Sequence, residues 1–181
     1  MKIVNCVAAS STSNINMIIR KADSKDIENI AELYVSNWKA TYSGFLADEY
    51  LNHLDASYGA DKWSSFLKNT DHHIFVACDE LRFFGFAACS PDPEIDNCMY
   101  IDSVHVSPDA QGKHIGTRLI QTIGEHAAVR GYTKMSICIV RGNDRARGLY
   151  CKLGAVHYSY FVDDFGGTES RSEKLVWKKL K

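Results

Sequence analysis

Residues 111–116 are Gln-Gly-Lys-His-Ile-Gly, and they lead into a stretch in which Ile115, Leu119, Ile120, Ile123 and Ala127 recur at the spacing of one helical face. A loop that opens a helix in this way suits an anion. The first amides of a helix have no intrahelical partner, and the helix dipole adds partial positive charge, so main chain alone can hold a phosphate. Gly112 and Gly116 lack a Cβ and let a ligand come close to the backbone, while Lys113 adds a full charge. A phosphorylated small molecule is therefore expected here, although a plain strand-turn-helix packing unit would use glycines in the same way. Nucleotide hydrolysis and dinucleotide binding are disfavoured. His114 stands where a Walker loop needs Ser or Thr, no glycine stands five residues before Lys113, and there is no Gly-x-Gly-x-x-Gly.

A second stretch runs Asn143-Asp-Arg-Ala146-Arg-Gly-Leu149-Tyr150-Cys-Lys-Leu153-Gly154. Ala146, Leu149, Tyr150 and Leu153 fall at i, i+3, i+4 and i+7, Asn143 or Asp144 can cap the start, and Gly154 can close the end in a left-handed conformation. Tyr150 thus sits on or near the buried face. A phenol in that position is either a core tyrosine or a proton donor.

The two stretches, in this order, resemble the paired signatures of the GNAT superfamily of N-acetyltransferases. Residues 111–116 are similar to the acyl-CoA pyrophosphate loop, Gln/Arg-x-x-Gly-x-Gly/Ala, with His114 at the central glycine position. Residues 143–154 are similar to Asn-x-x-Ala-x-x-Leu-Tyr-x-x-x-Gly. A residue already in helical φ/ψ would tolerate a Cβ at this position. The resemblance implies an α/β fold with a central twisted mixed sheet of about six to seven strands, about four flanking helices, and a bulged fourth strand splayed from the fifth. It implies acetyl-CoA as cosubstrate, bound by Val104, His105, Val106, Gln111, Gly112, Lys113, His114, Ile115, Gly116, Thr117, Asn143, Ala146 and Tyr150. It further implies that Tyr150 protonates the departing thiolate.

The elements that must position these residues are legible in the same pattern. Ile101, Val104 and Val106 are spaced i, i+3, i+5, which a β-bulge near Asp102 and Ser103 would produce, as would an irregular edge strand. Strands are expected over 17–22, 74–78, 83–89, 98–106, 134–140, 156–165 and 172–177. Helices are expected after a cap at Asp23 or Ser24, over 56–68, after residue 114 and after residue 143. The family places the acceptor between the loop joining its first two helices and the closing hairpin. Here those segments hold Trp38, Tyr42, Phe45, Asp48, Asp163 and Asp164, aromatic and acidic side chains that suit a cationic amine. Trp38 and Tyr42, at i and i+4, also fit a core. Asp102 is the candidate base acting through water, or else a surface carboxylate.

The chain has 181 residues, 45% hydrophobic and 24% charged, enough for one catalytic domain over 17–181 after a flexible extension over 1–16. A net charge of −1 and a pI near 6.6 disfavour nucleic acid and anionic membrane as partners. Six cysteines without Cys-x-x-Cys spacing, and an adjacent His72-His73 pair that is a poor chelate on a strand, point to a reduced, metal-free, cytoplasmic chain. The expected activity is acetyl transfer from acetyl-CoA to a primary amine in a ternary complex, a small cationic amine being slightly preferred to a protein N-terminus or lysine. An acyl-CoA-binding sensor or scaffold with weak turnover, and a homodimer formed through the closing hairpins, stay open.

Overall fold

Residues 17–180 are described by a computed structural model and form seven strands and five α-helices. The proposed extension over 1–16 lies outside the described residues. In chain order the elements are β1 (Ile18–Lys21), α1 (Ile27–Tyr42), α2 (Asp48–His53), α3 (Ala56–Lys68), β2 (His73–Cys78), β3 (Phe83–Pro91), β4 (Cys98–Val106), α4 (Ile115–Val129), β5 (Lys134–Val140), α5 (Asp144–Lys152), β6 (Val156–Asp164) and β7 (Glu169–Trp177). The expected strands and helices are present, with two differences. The extra helix α2 buries only Leu51 and is too short to show a period. Strand β7 begins three residues before 172, because polar Glu169, Ser170 and Arg171 gain their place by pairing with β6 rather than by burial.

One mixed sheet has the order β1-β2-β3-β4-β5-β7-β6, with β4 and β5 parallel and its other neighbouring pairs antiparallel. One face packs against α4 through Leu119, Ile120 and Ile123 with Met99, Ile101 and Ile137, and α5 adds Tyr150. On the other, Ile30 and Tyr34 of α1 and Trp63 of α3 cover Val76, Phe86 and Ala88. No helix among the described residues is long and apolar enough to cross a membrane.

The bulge falls where the apolar spacing put it. Ala88 faces Ser103 and Cys89 faces Ile101, so one step along β3 spans two along β4 and Asp102 is the extra residue. This slip keeps Ile101, Val104 and Val106 all on the α4 face. Pairing between β4 and β5 runs from Cys98 to Ile101 against Lys134 to Ile137 and then stops, leaving the strands apart beyond it.

Close pairing of β3 with the end of β4 depends on Gly85, which faces Val106. A Cβ there would lie 2.4 Å from the His105 carbonyl oxygen, a backbone atom that cannot swing away. Gly85→Ala should therefore destabilise the fold by about 1–3 kcal/mol. A thermal midpoint within a degree of wild type would show that β3 and β4 yield there.

Strand β6 is an edge of the sheet, and Val156, Tyr158, Tyr160 and Val162 are exposed along it. Within β7, the buried Lys174 ammonium meets Asp92 Oδ1 at 3.0 Å and Glu94 Oε2 at 2.8 Å, and the Ser136 hydroxyl donates to Asp92 Oδ2. Burial alone would raise the Asp92 carboxyl, but hydrogen bonds from Ser136, the Glu94 amide and Lys174 outweigh it and hold the group below the usual range.

Candidate active site

Strand β4 ends at Val106, a short turn over Pro108–Ala110 follows, and the loop 111–114 delivers the chain to α4. Gly112 has φ of 79°, a left-handed conformation that favours glycine. His114 has φ of 61° and ψ of 14°, a left-handed conformation, so the ease with which a helical residue carries a Cβ does not apply to it. The left-handed conformation costs a residue with a Cβ about 1–2 kcal/mol. The α4 N-terminus has no side-chain cap and no acidic residue in its first turn. Its first helical bond runs from the Arg118 amide to the His114 carbonyl, which leaves the amides of Ile115, Gly116 and Thr117 available to an anion. Gln111, Gly112, Lys113 and His114 are exposed, Ile115 anchors the helix in the core, and Thr117 is half-buried.

The gap between β4 and β5 opens beside this loop. The Ser107 amide donates to the Phe84 carbonyl of β3, so the Val106 carbonyl in the same peptide points the opposite way, into the gap. There it accepts from Asn37 Nδ2 at 3.2 Å and from Gln111 Nε2 at 3.3 Å. Gln111 Oε1 in turn accepts from Arg145 Nη1 at 2.6 Å, tying the loop to α5. Val104 lies two residues away and turns its main chain the same way. His105 faces the other side, stacked 5.2 Å from Phe86 and edge-on to Tyr34. Desolvation there, with the Lys62 charge adding, pushes its imidazole down to about 3, so it is neutral at ordinary pH.

A cavity of about 240 Å³ occupies the gap between α1 and the sheet. Its walls carry the rings of Tyr34, Trp38, Tyr42 and Tyr100 and the carboxyls of Asp102 and Asp163. Trp38 and Tyr42 lie 4.8 Å apart between ring centroids, with Phe165 5.9 Å from Trp38. Asp102 accepts from the Ser103 hydroxyl at 3.0 Å and lies 3.6 Å from Lys62 Nζ. Asp163 accepts from the Ser172 hydroxyl at 2.7 Å and has no cation within 4.0 Å among the described residues. Asp164 instead receives the Gly167 amide and belongs to the hairpin turn.

Tyr150 reaches the same cavity from α5, its ring edge-on to Trp177 at 6.0 Å. Its hydroxyl makes no hydrogen bond to protein among the described residues, and burial, with Tyr42 adding, pushes the phenol above its ordinary value. Asn143 caps α5 by accepting from the Ala146 amide, and its Nδ2 donates to the Tyr42 hydroxyl at 3.3 Å. Ala146 is half-buried on the same helix.

Among the expected acceptor residues, neither Asp48, at the start of α2, nor Phe45 is brought to the cavity. The Phe45 ring, 58% exposed, lies against Gly142, 2.7 Å from where a Cβ would stand. Asn37, Lys62 and Arg145 were missed by sequence reasoning. Asn37 had a signal, as a polar residue inside the stripe Tyr34, Trp38, Thr41 of α1; Lys62 and Arg145 had none beyond their charge.

A mixed sheet parted beside an uncapped helix N-terminus is the arrangement that the two signatures implied. The acetyltransferase (GNAT) family profile matches residues 28–155, and the chain belongs to that family. It is similar to YuaI of Bacillus subtilis (strain 168), an uncharacterized N-acetyltransferase, at 30% identity over 130 residues, 69% of this chain and 72% of the relative. Over 57 residues it is 32% identical to the thialysine N-epsilon-acetyltransferase of Bos taurus, covering 32% of this chain and 34% of that one. The fold is similar to that of the PaiA N-acetyltransferase from Thermoplasma acidophilum in complex with coenzyme A, with a TM-score of 0.67, 21% identity, and coverage of 88% of this chain and 98% of the other.

Proposed function

We propose that the protein moves an acetyl group from acetyl-CoA to the primary amine of a small cationic acceptor, by direct attack with both substrates bound. Acetyl-CoA supplies the activated thioester. The free amides at Ile115, Gly116 and Thr117, with Gln111, Gly112, Lys113 and His114, suit its diphosphate, and no carboxylate in the first turn of α4 opposes them. The main chain of Val104, His105 and Val106 borders the gap in which a pantetheine arm fits, with Asn143 and Ala146 at the start of α5 beside it.

Transfer needs positioning, a neutral amine, stabilisation of charge on the carbonyl oxygen, and a proton for the leaving sulfur. Trp38 and Tyr42 offer ring faces to a cation, and Asp163 offers a carboxylate without a cationic partner. Asp102 accepts the proton of the attacking amine through a water. Tyr150 donates its proton to sulfur.

The observation that carries this reading is the small cavity lined together by the aromatic residues, by Asp163 and by Tyr150. The named substrate of the bovine relative, thialysine, is a small amine of this kind, which supports it further. Initial rates with acetyl-CoA against diamines, thialysine, aminoglycosides and peptides test it. Small diamines or lysine analogues should give the highest kcat/KM, and Asp163→Asn should raise their KM about tenfold, equivalent to about 1.4 kcal/mol. Preference for peptides, or a KM unmoved in Asp163→Asn, would refute the assignment.

A further inference from the structure

A second cavity, of about 530 Å³, lies on the far side of α5 from the loop 111–116. The two sides of that helix are distinct. Arg145 bonds Gln111 and Leu149 packs near Gly116, marking the side that faces the loop, whereas Asp144 and Arg147 line the second cavity with Arg141, Arg171, Tyr160 and Glu173. Its volume is that of a small-molecule site.

The charges there do not cancel. Arg147 holds Glu173 through two hydrogen bonds, of 2.7 and 3.1 Å, and His157 Nδ1 lies 3.0 Å from the same carboxylate, so that acid is fully engaged. Arg141 and Arg171 have no carboxylate within 4.0 Å among the described residues, and neither does any cation there pair with Asp144. The Arg141 amide donates to the Arg171 carbonyl at 2.9 Å, one step past the last ladder pair, Val140 with Ser172. The two arginines are thus cross-strand neighbours on one face. Like charges placed opposite each other on a sheet repel, and an anion shared between two guanidinium forks turns that repulsion into charge-assisted hydrogen bonding. Beside them Tyr160 is 69% exposed, its ring packed on one side against His157 at 4.3 Å between centroids.

We infer that Arg141 and Arg171 form an anion site that takes the phosphate or carboxylate of a small molecule, whose planar part lies on Tyr160. It is separate from the diphosphate loop. Val140, Asn143 and Ser172 border both this cavity and the acceptor cavity, so the anionic group belongs either to the far end of an acceptor or to an independent effector.

Calorimetric titration of inorganic phosphate and of AMP into the full chain saturated with coenzyme A tests the site, because the loop is then occupied. Both probes should bind, and Arg141→Ala and Arg171→Ala should each weaken AMP about tenfold, with Arg171→Lys weakening it less. Tyr160→Ala should weaken AMP and leave phosphate unchanged. Circular dichroism and thermal midpoints confirm that each variant is folded. Absence of binding by either probe at millimolar concentration, or AMP binding indifferent to both arginines, overturns the site. The source is separated by rates with ethanolamine and phosphoethanolamine: a KM raised in the arginine variants for the phosphorylated amine alone assigns the anion to the acceptor. Inhibition or activation by AMP without competition against the amine assigns it to an effector. Binding of AMP by a chain that transfers no acetyl group would remove the proposed activity and leave this site standing.

Discussion

Tyr150→Phe should lower kcat by about 10²-fold or more while leaving coenzyme A affinity within about twofold of wild type. The split follows from what the phenol touches. Its ring packs beside Trp177 and would do so equally as phenylalanine, whereas its hydroxyl has no protein partner among the described residues and so contributes little to the fold. The thermal midpoint should accordingly move little. Burial first, and Tyr42 second, raise the phenol above its ordinary value, so the proton stays on oxygen throughout the neutral range and remains available to a developing thiolate. The wild-type rate should consequently show no falling limb from this group between pH 6 and about 9. Equal kcat in the two proteins, by steady-state assay with a saturating amine, would reduce Tyr150 to a core residue.

Asp92→Ala should cost about 3–5 kcal/mol, the largest stability effect expected of a single polar substitution in this chain. The Lys174 side chain is 5% exposed and that of Asp92 fully buried, so removing the acid leaves an ammonium whose remaining carboxylate partner among the described residues, Glu94, is itself 68% exposed. A midpoint lower by on the order of 10 °C is expected. Pairing Asp92→Ala with Lys174→Met should recover much of the loss, because the double variant buries no unbalanced charge. The pH dependence has a definite sign. The Asp92 carboxyl is depressed in the folded chain, so its contribution is present above the ordinary carboxylate value near 4 and is lost as pH falls through the lower folded value. A double variant no more stable than Asp92→Ala would show that the ion pair is not the cause.

Much of this molecule was legible in the order of its residues. Regular spacing gave the strands and the long helices, because burial on one face imposes a period. Even the bulge at Asp102 was visible, as a slip in the apolar positions of β4. What escaped has common causes. Helix α2 is too short for a period, and Phe45 lies close to the expected acceptor segment yet turns to Gly142, a choice set by a cavity formed only in three dimensions. His114 takes a left-handed φ of 61°, which no period in the sequence marks. Asn37, Lys62 and Arg145 take their positions from partners 69, 40 and 34 residues away, beyond any local pattern.

The parted strands carry a consequence for the life of the chain in a cell. Beyond Ile101 and Ile137 the ladder between β4 and β5 is missing, so part of the central sheet lacks the cross-strand hydrogen bonds that elsewhere resist opening. A pantetheine arm lying there would stand in for the missing rungs, and a compound bound only by the folded form adds about 2.7 kcal/mol at a hundredfold excess over its dissociation constant. The abundance of such a chain, through its exposure to proteolysis, is then tied to the size of the thioester pool it draws upon.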